Sequence, residues 1–541
     1  MTVSRQGEFR KKNMNPGGKA AGRTLLRETK GIFYYSAFIL LFLLIIIELA
    51  AILWLNQGHL IFTLDDAYIH LSLAENIKEG HYGINKNEFS TPSSSIIWPF
   101  FLVPFAPLKS AGAFILILNV LFAFLSMILI YRILELFFRF WEGREKNLFI
   151  GFIAMLCIPA MNIIGLVFTG MEHSLQLVFA LLVILGVIWD IQKDQVTWWF
   201  LSAVVAGPLV RYENLALSMP VLVFLILRKR HKKALVCFIL MAILVGGFSL
   251  FLSREGHSFF PDSVRLKSSV ASLKLEPATI IGGLNRSLRD GRGFVIFLGS
   301  FPLLLWMLDS RIKLKERLVF GTVFLCVFLH LLFGRYGWYG RYEIYIWCVI
   351  LITLVFGFRE NIVHFVSGRK MLNVFVVFCL FIGYTCYPYV KILFTTPFGS
   401  NNIYQQQYQI HRFAVEYYKK PIAVNDLGWP SYRNDHYVLD LWGLGSREAF
   451  DRRMKEKDTD WMDALVRKYG VSVVVIYKEI FEGIPESWIP MAEMFLRNPR
   501  VTASKDTVTF YVTVEGEKEQ VRSVLQRFSL SLPKGVKLKI E

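Results

Sequence analysis

The hydrophobic residues of this chain are gathered into long runs separated by short polar segments. About eleven runs have the length and apolar character of membrane-spanning helices. They cover approximately residues 32–55, 111–138, 147–162, 171–189, 197–210, 215–227, 234–252, 293–308, 318–333, 342–358 and 371–393. A further apolar stretch, residues 96–107, contains Pro99, Pro104 and Pro107. We expect it to lie on or dip into one face of the membrane instead of crossing it.

The overall composition supports this interpretation. The chain has 541 residues, of which 54% are hydrophobic and 15% aromatic, and its mean hydropathy is +0.44. These values exclude an ordinary soluble protein. The first run is longer than a signal-peptide core and is followed by no small-residue cleavage site, so we expect it to remain as an anchor. The predicted fold class is an α-helical polytopic membrane protein.

The distribution of Lys and Arg predicts the orientation. Basic residues collect in the N-terminal tail and in every second loop, at residues 139–146, 228–233, 311–317 and 359–370. The positive-inside rule therefore places the N-terminus in the cytoplasm. If the stretch 96–107 crossed the membrane instead, residues 139–146 would lie outside. The net charge of +18 is explained by these loops, so we expect no nucleic-acid partner. Six cysteines all lie in apolar runs, without metal-ligand spacing.

This topology divides the chain into three parts. Residues 1–30 form a basic cytoplasmic tail, residues 31–393 a transmembrane domain, and residues 394–541 a soluble extracytoplasmic domain. The soluble domain has strand-like runs near 421–424, 471–477 and 508–514 and helical patterns at 461–469 and 518–528, so we predict an α/β fold. The first outer loop, residues 56–110, carries the most informative polar residues.

Two adjacent acids in this loop mark a candidate site. The segment Thr63-Leu64-Asp65-Asp66-Ala67-Tyr68 begins a short amphipathic helix that ends near Gly80. Ionised carboxylates are costly in hydrocarbon, so Asp65 and Asp66 must face water or a polar cavity. The alternative is that they only complement the N-terminus of their own helix. His70, four residues after Asp66, would lie on the same helix face and within hydrogen-bonding reach of it.

A set of motifs in order along the chain resembles the GT-C superfamily of membrane glycosyltransferases. The motifs are Leu64-Asp65-Asp66-Ala67-Tyr68-Ile69, Thr91-Pro92-Ser93, Thr169-Gly170-Met171-Glu172, Arg211-Tyr212-Glu213-Asn214, Phe260-Pro261-Asp262-Ser263 and, in the tail, Val424-Asn425-Asp426-Leu427-Gly428 and Val438-Leu439-Asp440-Leu441-Trp442-Gly443-Leu444. The likeness covers nearly the whole chain and is greatest to bacterial enzymes of the arabinofuranosyltransferase and mannosyltransferase type. Asp262 stands where the family often has Asn.

The resemblance implies an inverting transferase that moves a sugar from a polyprenyl-phosphate donor to an envelope glycan, glycolipid or protein. It implies an enzyme of the bacterial cytoplasmic membrane, acting among membrane lipids on the outer face. Asp65 is then the expected general base and Asp66 its support, although adjacent acids can exchange these roles. The expected contacts with the donor phosphate and substrate are Glu172, Arg211, Lys267, Arg341 and His70. A divalent cation, Mg²⁺ or Mn²⁺, is left open, with Asp65 and Asp66 as its ligands if one binds.

Two other classes of function are compatible with a chain that has many membrane spans and polar residues near the membrane. A transporter or flippase of lipid-linked sugars predicts functional charges near the membrane midplane and internal repeats, whereas the acids here are at the outer rim and no repeat is visible. A non-catalytic envelope assembly protein would use the acid pair only as a helix cap.

Overall fold

A computed structural model of the protein describes residues 16–267, 277–366, 371–456, 458–497 and 499–541. The first sixteen helices form the bundle and its connecting loops: α1 (Pro16–Leu55), α2 (Asp66–Lys78), α3 (Trp98–Leu102), α4 (Ala111–Phe137), α5 (Arg144–Ala160), α6 (Ile163–Val167), α7 (His173–Lys193), α8 (Trp198–Val210), α9 (Leu215–Leu227), α10 (His231–Arg254), α11 (Asp262–Lys267), α12 (Pro277–Arg289), α13 (Gly291–Leu308), α14 (Leu314–Phe333), α15 (Ile344–Val366) and α16 (Met371–Gln405).

Each of the eleven predicted apolar runs lies in a helix of this bundle. Among the described residues, seven helices are long and apolar enough to cross a membrane, namely those in α1, α4, α7, α10, α13, α14 and α15. Shorter apolar helices cover Trp198–Val210 and Tyr212–Leu227. The proline-rich stretch forms α3, whose five residues are too few to span. The protein is a multi-pass membrane protein with the predicted helical fold.

One face of the bundle carries paired basic residues. Arg228 donates to Asp190 at 2.7 Å and to Asp194 at 2.6 Å, which joins the loops after α7 and α9. Arg359, near the end of α15, donates to Glu316 at the start of α14 at 2.8 Å. These are the ends that the charge pattern predicts to share one side of the membrane, because each follows or precedes a basic loop.

The C-terminal part is an α/β domain with a six-stranded sheet. Its remaining elements are α17 (Gln407–Arg412), β1 (Ile422–Val424), α18 (Gly428–Ser431), β2 (Val438–Asp440), α19 (Arg447–Lys455), α20 (Asp460–Lys468), β3 (Val473–Ile476), β4 (Ile489–Phe495), β5 (Thr507–Val512), α21 (Lys518–Ser529) and β6 (Lys537–Ile540). The strand order is β2-β1-β3-β5-β4-β6, in which β1 pairs in parallel with β2 and β3 and the other pairs are antiparallel.

Both faces of the sheet are buried. In β3, Val473 and Val475 belong to one hydrophobic core and Val474 and Ile476 to the other, as alternation along a strand requires. The predicted strands near 421–424, 471–477 and 508–514 and both predicted helices are present. The sequence prediction omitted β2, β4 and β6. Strand β4 carries a bulge between Pro490 and Ala492, and a proline inside a strand conceals the usual pattern.

The first outer loop, residues 56–110, lies between the bundle and the α/β domain. Ile69 and Ile84 are part of the hydrophobic core of the α/β domain, while Tyr68 stacks on Trp429 with 4.0 Å between ring centroids. The Asn85 side chain donates to the Val438 carbonyl and accepts from the Val438 amide, both at 3.0 Å. It therefore completes the exposed edge of β2 in the manner of a neighbouring strand.

Candidate active site

The acid pair lies on a cavity between the bundle and the α/β domain. The cavity has a volume of about 510 Å³, within the usual range for small-molecule sites. Its lining comprises Leu64, Asp65, Asp66, Ile69, Arg335, Tyr336, Trp338, Tyr342, Ile403, Gln407, Asn425, Asp426, Leu427, Trp442, Leu444, Ile480, Thr502 and Ser504. Three carboxylates thus face one space, and one of them, Asp426, comes from the α/β domain.

Asp65 is bound by backbone amides of the α/β domain. Its Oδ2 accepts from the Gly428 amide at 2.6 Å and its Oδ1 from the Trp429 amide at 2.8 Å. Asp65 precedes α2, yet its side chain makes no capping hydrogen bond to that helix. Asp65 is therefore not a hydrogen-bonded cap of α2, whereas Asp66 is an acidic residue of its first turn. Two amide donors fix the orientation of the carboxylate, as a catalytic group requires.

The surroundings of Asp65 favour proton binding. Burial raises the pKa of Asp65 well above its usual range, and the negative charge of Asp426 raises this pKa further, although the two amides lower it. The pKa of Asp426 is also raised, first by burial and also by Asp66, against a hydrogen bond of 2.7 Å from Gln407. A raised pKa makes the ionised carboxylate more basic, which favours its use as a general base.

Asp66 is held differently, by a buried arginine. Arg341 donates to Asp66 Oδ2 at 2.8 Å and to the Tyr342 hydroxyl at 3.1 Å, and its side chain is 1% exposed. It also contacts the Met171 sulfur. The sequence prediction placed Arg341 near a donor phosphate, whereas the structure places it beside the carboxylate of Asp66, behind the residues that line the cavity.

Glu172, Arg211 and His70 form a second buried group. Arg211 donates to Glu172 Oε1 at 2.8 Å and to Glu213 Oε1 at 2.5 Å, and His70 Nε2 lies 3.5 Å from Glu172 Oε2. Burial alone would lower the pKa of Arg211, but the charges of Glu213 and Glu172 outweigh it and keep the guanidinium charged. Glu172 precedes α7 but makes no side-chain capping bond to it, so it serves this network instead.

The two groups meet at Tyr342. Its ring centroid is 5.0 Å from the Arg341 guanidinium and 5.8 Å from that of Arg211, distances typical of cation–π contacts. Asp66 and Tyr342 line the cavity, and Arg341, Arg211 and Glu172 connect to them behind the lining. The structure thus brings together motifs that the sequence separates by up to 275 positions.

The first and second outer loops, which carry the acid pair and Glu172, pack closely against each other. Thr63 donates from its amide and hydroxyl to the Phe168 carbonyl, at 2.9 and 3.1 Å. Gly170 has a φ of +67°, and a Cβ there would lie 2.5 Å from the Phe62 ring. Only glycine fits at position 170, because other residues rarely adopt positive φ and their Cβ would collide with the Phe62 ring. The second outer loop consequently positions Glu172 against the first.

Lys267 and Asp262 lie in the large outer loop. Lys267 ends α11, and its side chain is outside the described part of the structure, so its predicted contact with a phosphate stays a prediction. Asp262 accepts from the Thr91 hydroxyl at 3.0 Å, and its amide donates to the same oxygen at 2.8 Å. His257 and Arg265 also contact it. Asp262 therefore joins two outer loops and does not line the cavity.

Three carboxylate oxygens of the acid pair already accept hydrogen bonds, which bears on whether the pair could bind a divalent cation. Both oxygens of Asp65 accept backbone amides and one oxygen of Asp66 accepts from Arg341. Within the described residues, no group of three His, Cys, Asp or Glu side chains is arranged to hold a metal ion. As positioned, the described residues do not fit a metal site.

Asp426, Arg335 and Trp442 are site residues that the sequence prediction did not select. Asp426 lies in the motif Val424-Asn425-Asp426-Leu427-Gly428, which was noted but given no role. Trp442 follows a tight turn in which Asp440 accepts from the amides of Trp442 and Leu444, at 2.9 and 2.6 Å. The sequence around Asp426 does not indicate which outer loop this residue contacts, because the contact depends on how the α/β domain docks on the bundle.

Comparisons with known proteins give limited similarity. Residues 401–511 match a family described as a domain of unknown function (DUF8728), which covers less than half of the chain. No curated protein matches. Three solved structures are similar over most of the chain: the apo oligosaccharyltransferase of Archaeoglobus fulgidus, the same protein tethered to an acceptor peptide containing the NVT sequon, and ArnT from Cupriavidus metallidurans in the apo state.

The alignments cover 89, 93 and 90% of this chain and 75, 76 and 99% of those chains, with identities of 10, 10 and 12%. The TM-scores are 0.44, 0.45 and 0.45. At these values the similarities carry no conclusion about the activity of this chain.

Proposed function

We propose that the protein is an inverting membrane glycosyltransferase of the GT-C type. It takes a sugar from a polyprenyl-phosphate donor and passes it to an envelope glycan, glycolipid or protein at the outer face of the bacterial cytoplasmic membrane. The observation that carries the proposal is the position of Asp65 and Asp66, on a cavity where the membrane bundle meets the α/β domain. A lipid-linked donor can reach this cavity from the membrane while the acceptor approaches from outside.

The reaction is a single displacement. The acceptor hydroxyl attacks the anomeric carbon, the bond from that carbon to the phosphate oxygen breaks, and the phosphate departs with the electron pair. The proton of the hydroxyl passes to a carboxylate. We assign this base to Asp65, since burial raises its pKa and two amides fix its direction. A base of this kind contributes about 10²- to 10⁴-fold to the rate.

Asp66 supports the base from its ion pair with Arg341. The contact with Arg341 fixes the direction of the Asp66 carboxylate, so Asp66 is suited to hold the acceptor hydroxyl in place. The departing phosphate gains negative charge, which requires cations near the cavity. Arg335 lines the cavity, and we assign it and Lys267 to contact with the phosphate. Arg341 and Arg211 lie behind the lining and act on this charge at longer range. Glu172 and His70 position Arg211.

The two rival functions receive less support. A transporter needs its functional charges near the midplane, whereas the three cavity carboxylates lie beyond the end of α1 and in the α/β domain. A scaffold would use the acid pair as a helix cap, and Asp65 makes no side-chain bond to its own helix. A bipartite cavity with a bound, oriented carboxylate is better suited to catalysis than to assembly.

The proposal is tested by product analysis. Purified protein is incubated with a panel of radiolabelled polyprenyl-phosphate sugars and an envelope extract as acceptor. We expect one donor to yield a labelled product and free polyprenyl phosphate, with the anomeric configuration inverted. Movement of intact donor across a liposome bilayer, without cleavage of the sugar–phosphate bond, would establish the flippase function instead.

A further inference from the structure

A second cavity adjoins the first and has no assigned role. Its volume is about 290 Å³, and it shares four lining residues with the larger cavity, namely Leu64, Trp338, Thr502 and Ser504. The remaining wall includes Tyr339 and the stretch Arg500 to Ala503. Leu64, which immediately precedes Asp65 in the chain, lines both cavities.

The wall between the cavities is a backbone turn in an unusual conformation. Four consecutive residues have positive φ: Gly337 at +81°, Trp338 at +45°, Tyr339 at +70° and Gly340 at +66°. This region is unfavourable for a non-glycine residue. At Gly337 the positive φ disfavours any other residue, and a Cβ there would also displace the Arg292 guanidinium, which would lie 2.3 Å away. Trp338 and Tyr339 adopt the conformation only because their surroundings impose it.

Three side chains hold the turn at residues 337–340 in this conformation. The Glu343 carboxylate accepts from the Gly337 amide at 2.8 Å, Asn162 donates to the Tyr339 carbonyl at 3.0 Å, and the Tyr339 hydroxyl lies 2.5 Å from that of Thr396. The turn is thus fixed from three different helices or loops. Its effect is to hold the Trp338 side chain 51% exposed, at the boundary of both cavities.

The opposite wall is equally well fixed. Asn402 accepts from the amides of Val501 and Thr502, at 2.7 and 3.2 Å. The Thr502 hydroxyl donates to the Gly399 carbonyl at 2.8 Å, which leaves its lone pairs for another donor. Arg500 is half exposed; its Nη1 donates to the Ser504 carbonyl and its Nε lies 3.4 Å from Asp506 Oδ1. The wall therefore offers hydroxyls and the remaining guanidinium donors to the cavity that Trp338 also lines.

We propose that this second cavity is an acceptor subsite that binds one sugar ring, stacked on Trp338 and hydrogen-bonded to Thr502, Ser504 and Arg500. The C–H face of a sugar ring suits an aromatic surface, and its hydroxyls suit a wall of hydroxyl and guanidinium groups. The assignment rests on the proposed transfer reaction and specifies it further: the acceptor is a carbohydrate, and its reactive hydroxyl reaches Asp65 past Leu64.

Binding is measured without relying on turnover. The full-length protein is labelled with 5-fluorotryptophan, and the Trp338 resonance is assigned from the Trp338→Phe variant. We titrate methyl glycosides of mannose, glucose, galactose and arabinofuranose. At least one should shift the Trp338 resonance and leave that of Trp198, which is 78% exposed and begins α8 at the end opposite Arg211, unchanged. Absence of a shift with every glycoside would overturn the assignment, as would a shift caused only by a peptide.

Kinetics provide the second measurement. In Trp338→Ala, the acceptor KM should rise by roughly 3- to 10-fold, the value of one aromatic contact, while the donor KM stays constant. Trp338→Phe should recover most of this loss, since it retains a ring. If the donor KM rose instead, the cavity would belong to the donor. If a glycoside shifts the Trp338 fluorine resonance but the protein shows no sugar transfer, the sugar-binding subsite is supported and the proposed transferase activity is refuted.

Discussion

The backbone amide of Gly428 donates to the carboxylate of Asp65 at 2.6 Å, and no side chain fits between the two residues. A Cβ at position 428 would lie 2.0 Å from the Asp65 carbonyl oxygen and 2.7 Å from its carboxyl carbon. The α/β domain therefore rests directly on the acid pair. We infer that the position of the Asp65 carboxylate depends on the docking of the α/β domain against the bundle.

The substitution Gly428→Ala tests this inference. The added methyl group should push the α/β domain away from Asp65 and break both amide bonds to its carboxylate. Because misplacement by about 1 Å can cost about 10²-fold in rate, we expect kcat/KM for sugar transfer to fall by at least ten-fold. Initial rates with a radiolabelled donor measure the loss.

Gly516→Ala is the matched control. Position 516 is in the same domain, has negative φ and has nothing within 4 Å of a Cβ built there. This variant should transfer at the wild-type rate, and both variants should elute as monodisperse protein in detergent. Normal transfer by Gly428→Ala would show that contact with the α/β domain does not position the base.

The carboxylate of Asp426 should set the pH dependence of transfer. Asp65 must be ionised to accept a proton, and the charge of Asp426 raises the pKa of Asp65. In Asp426→Asn this repulsion is absent, so the pKa of Asp65 falls and the acidic limb of kcat/KM moves to lower pH. A pH–rate series for wild type and variant measures the shift. A limb that moved to higher pH would contradict the assignment of the base.

The ion pair between Asp66 and Arg341 should support folding as well as catalysis. Arg341 is 1% exposed, and removal of one partner from a buried pair typically costs about 3–5 kcal/mol. We expect Arg341→Gln to lose stability toward the lower end of this range, because Asp66 is 22% exposed. Thermal unfolding in detergent provides the measurement. Arg311→Gln, whose side chain is 89% exposed, should leave the midpoint unchanged. Equal midpoints for both variants would refute the prediction.

The bundle was predictable from the sequence because burial in lipid imposes a simple rule. Each span must satisfy its backbone hydrogen bonds internally, so long apolar runs become helices. In the proline-rich stretch 96–107, α3 has five residues and is too short to span, while the position of the stretch at the outer face stays a prediction. In the α/β domain, the strands with regular apolar patterns were found. The short strand β2 has only three residues, too few for periodicity to appear.

The site was only partly predictable. The motifs located Asp65, Asp66, Glu172 and Arg211, and the structure brings them to one region. The partners of these residues depend on packing between distant segments. Nothing in the local sequence indicates that Asp66 meets Arg341, or that the carboxylate of Asp65 receives amides from a domain more than 360 residues away. Asp426 enters the site for the same reason.

The most direct test of the central claim is sugar transfer by wild-type protein and by Asp65→Asn, with Asp435→Asn as control. Asp435 is an aspartate of the same domain interface whose side chain is 93% exposed. With a polyprenyl-phosphate sugar that the wild type accepts, we predict that Asp65→Asn loses about 10²- to 10⁴-fold in kcat while folding normally, and that Asp435→Asn retains full activity. Wild-type turnover by correctly folded Asp65→Asn would contradict the account.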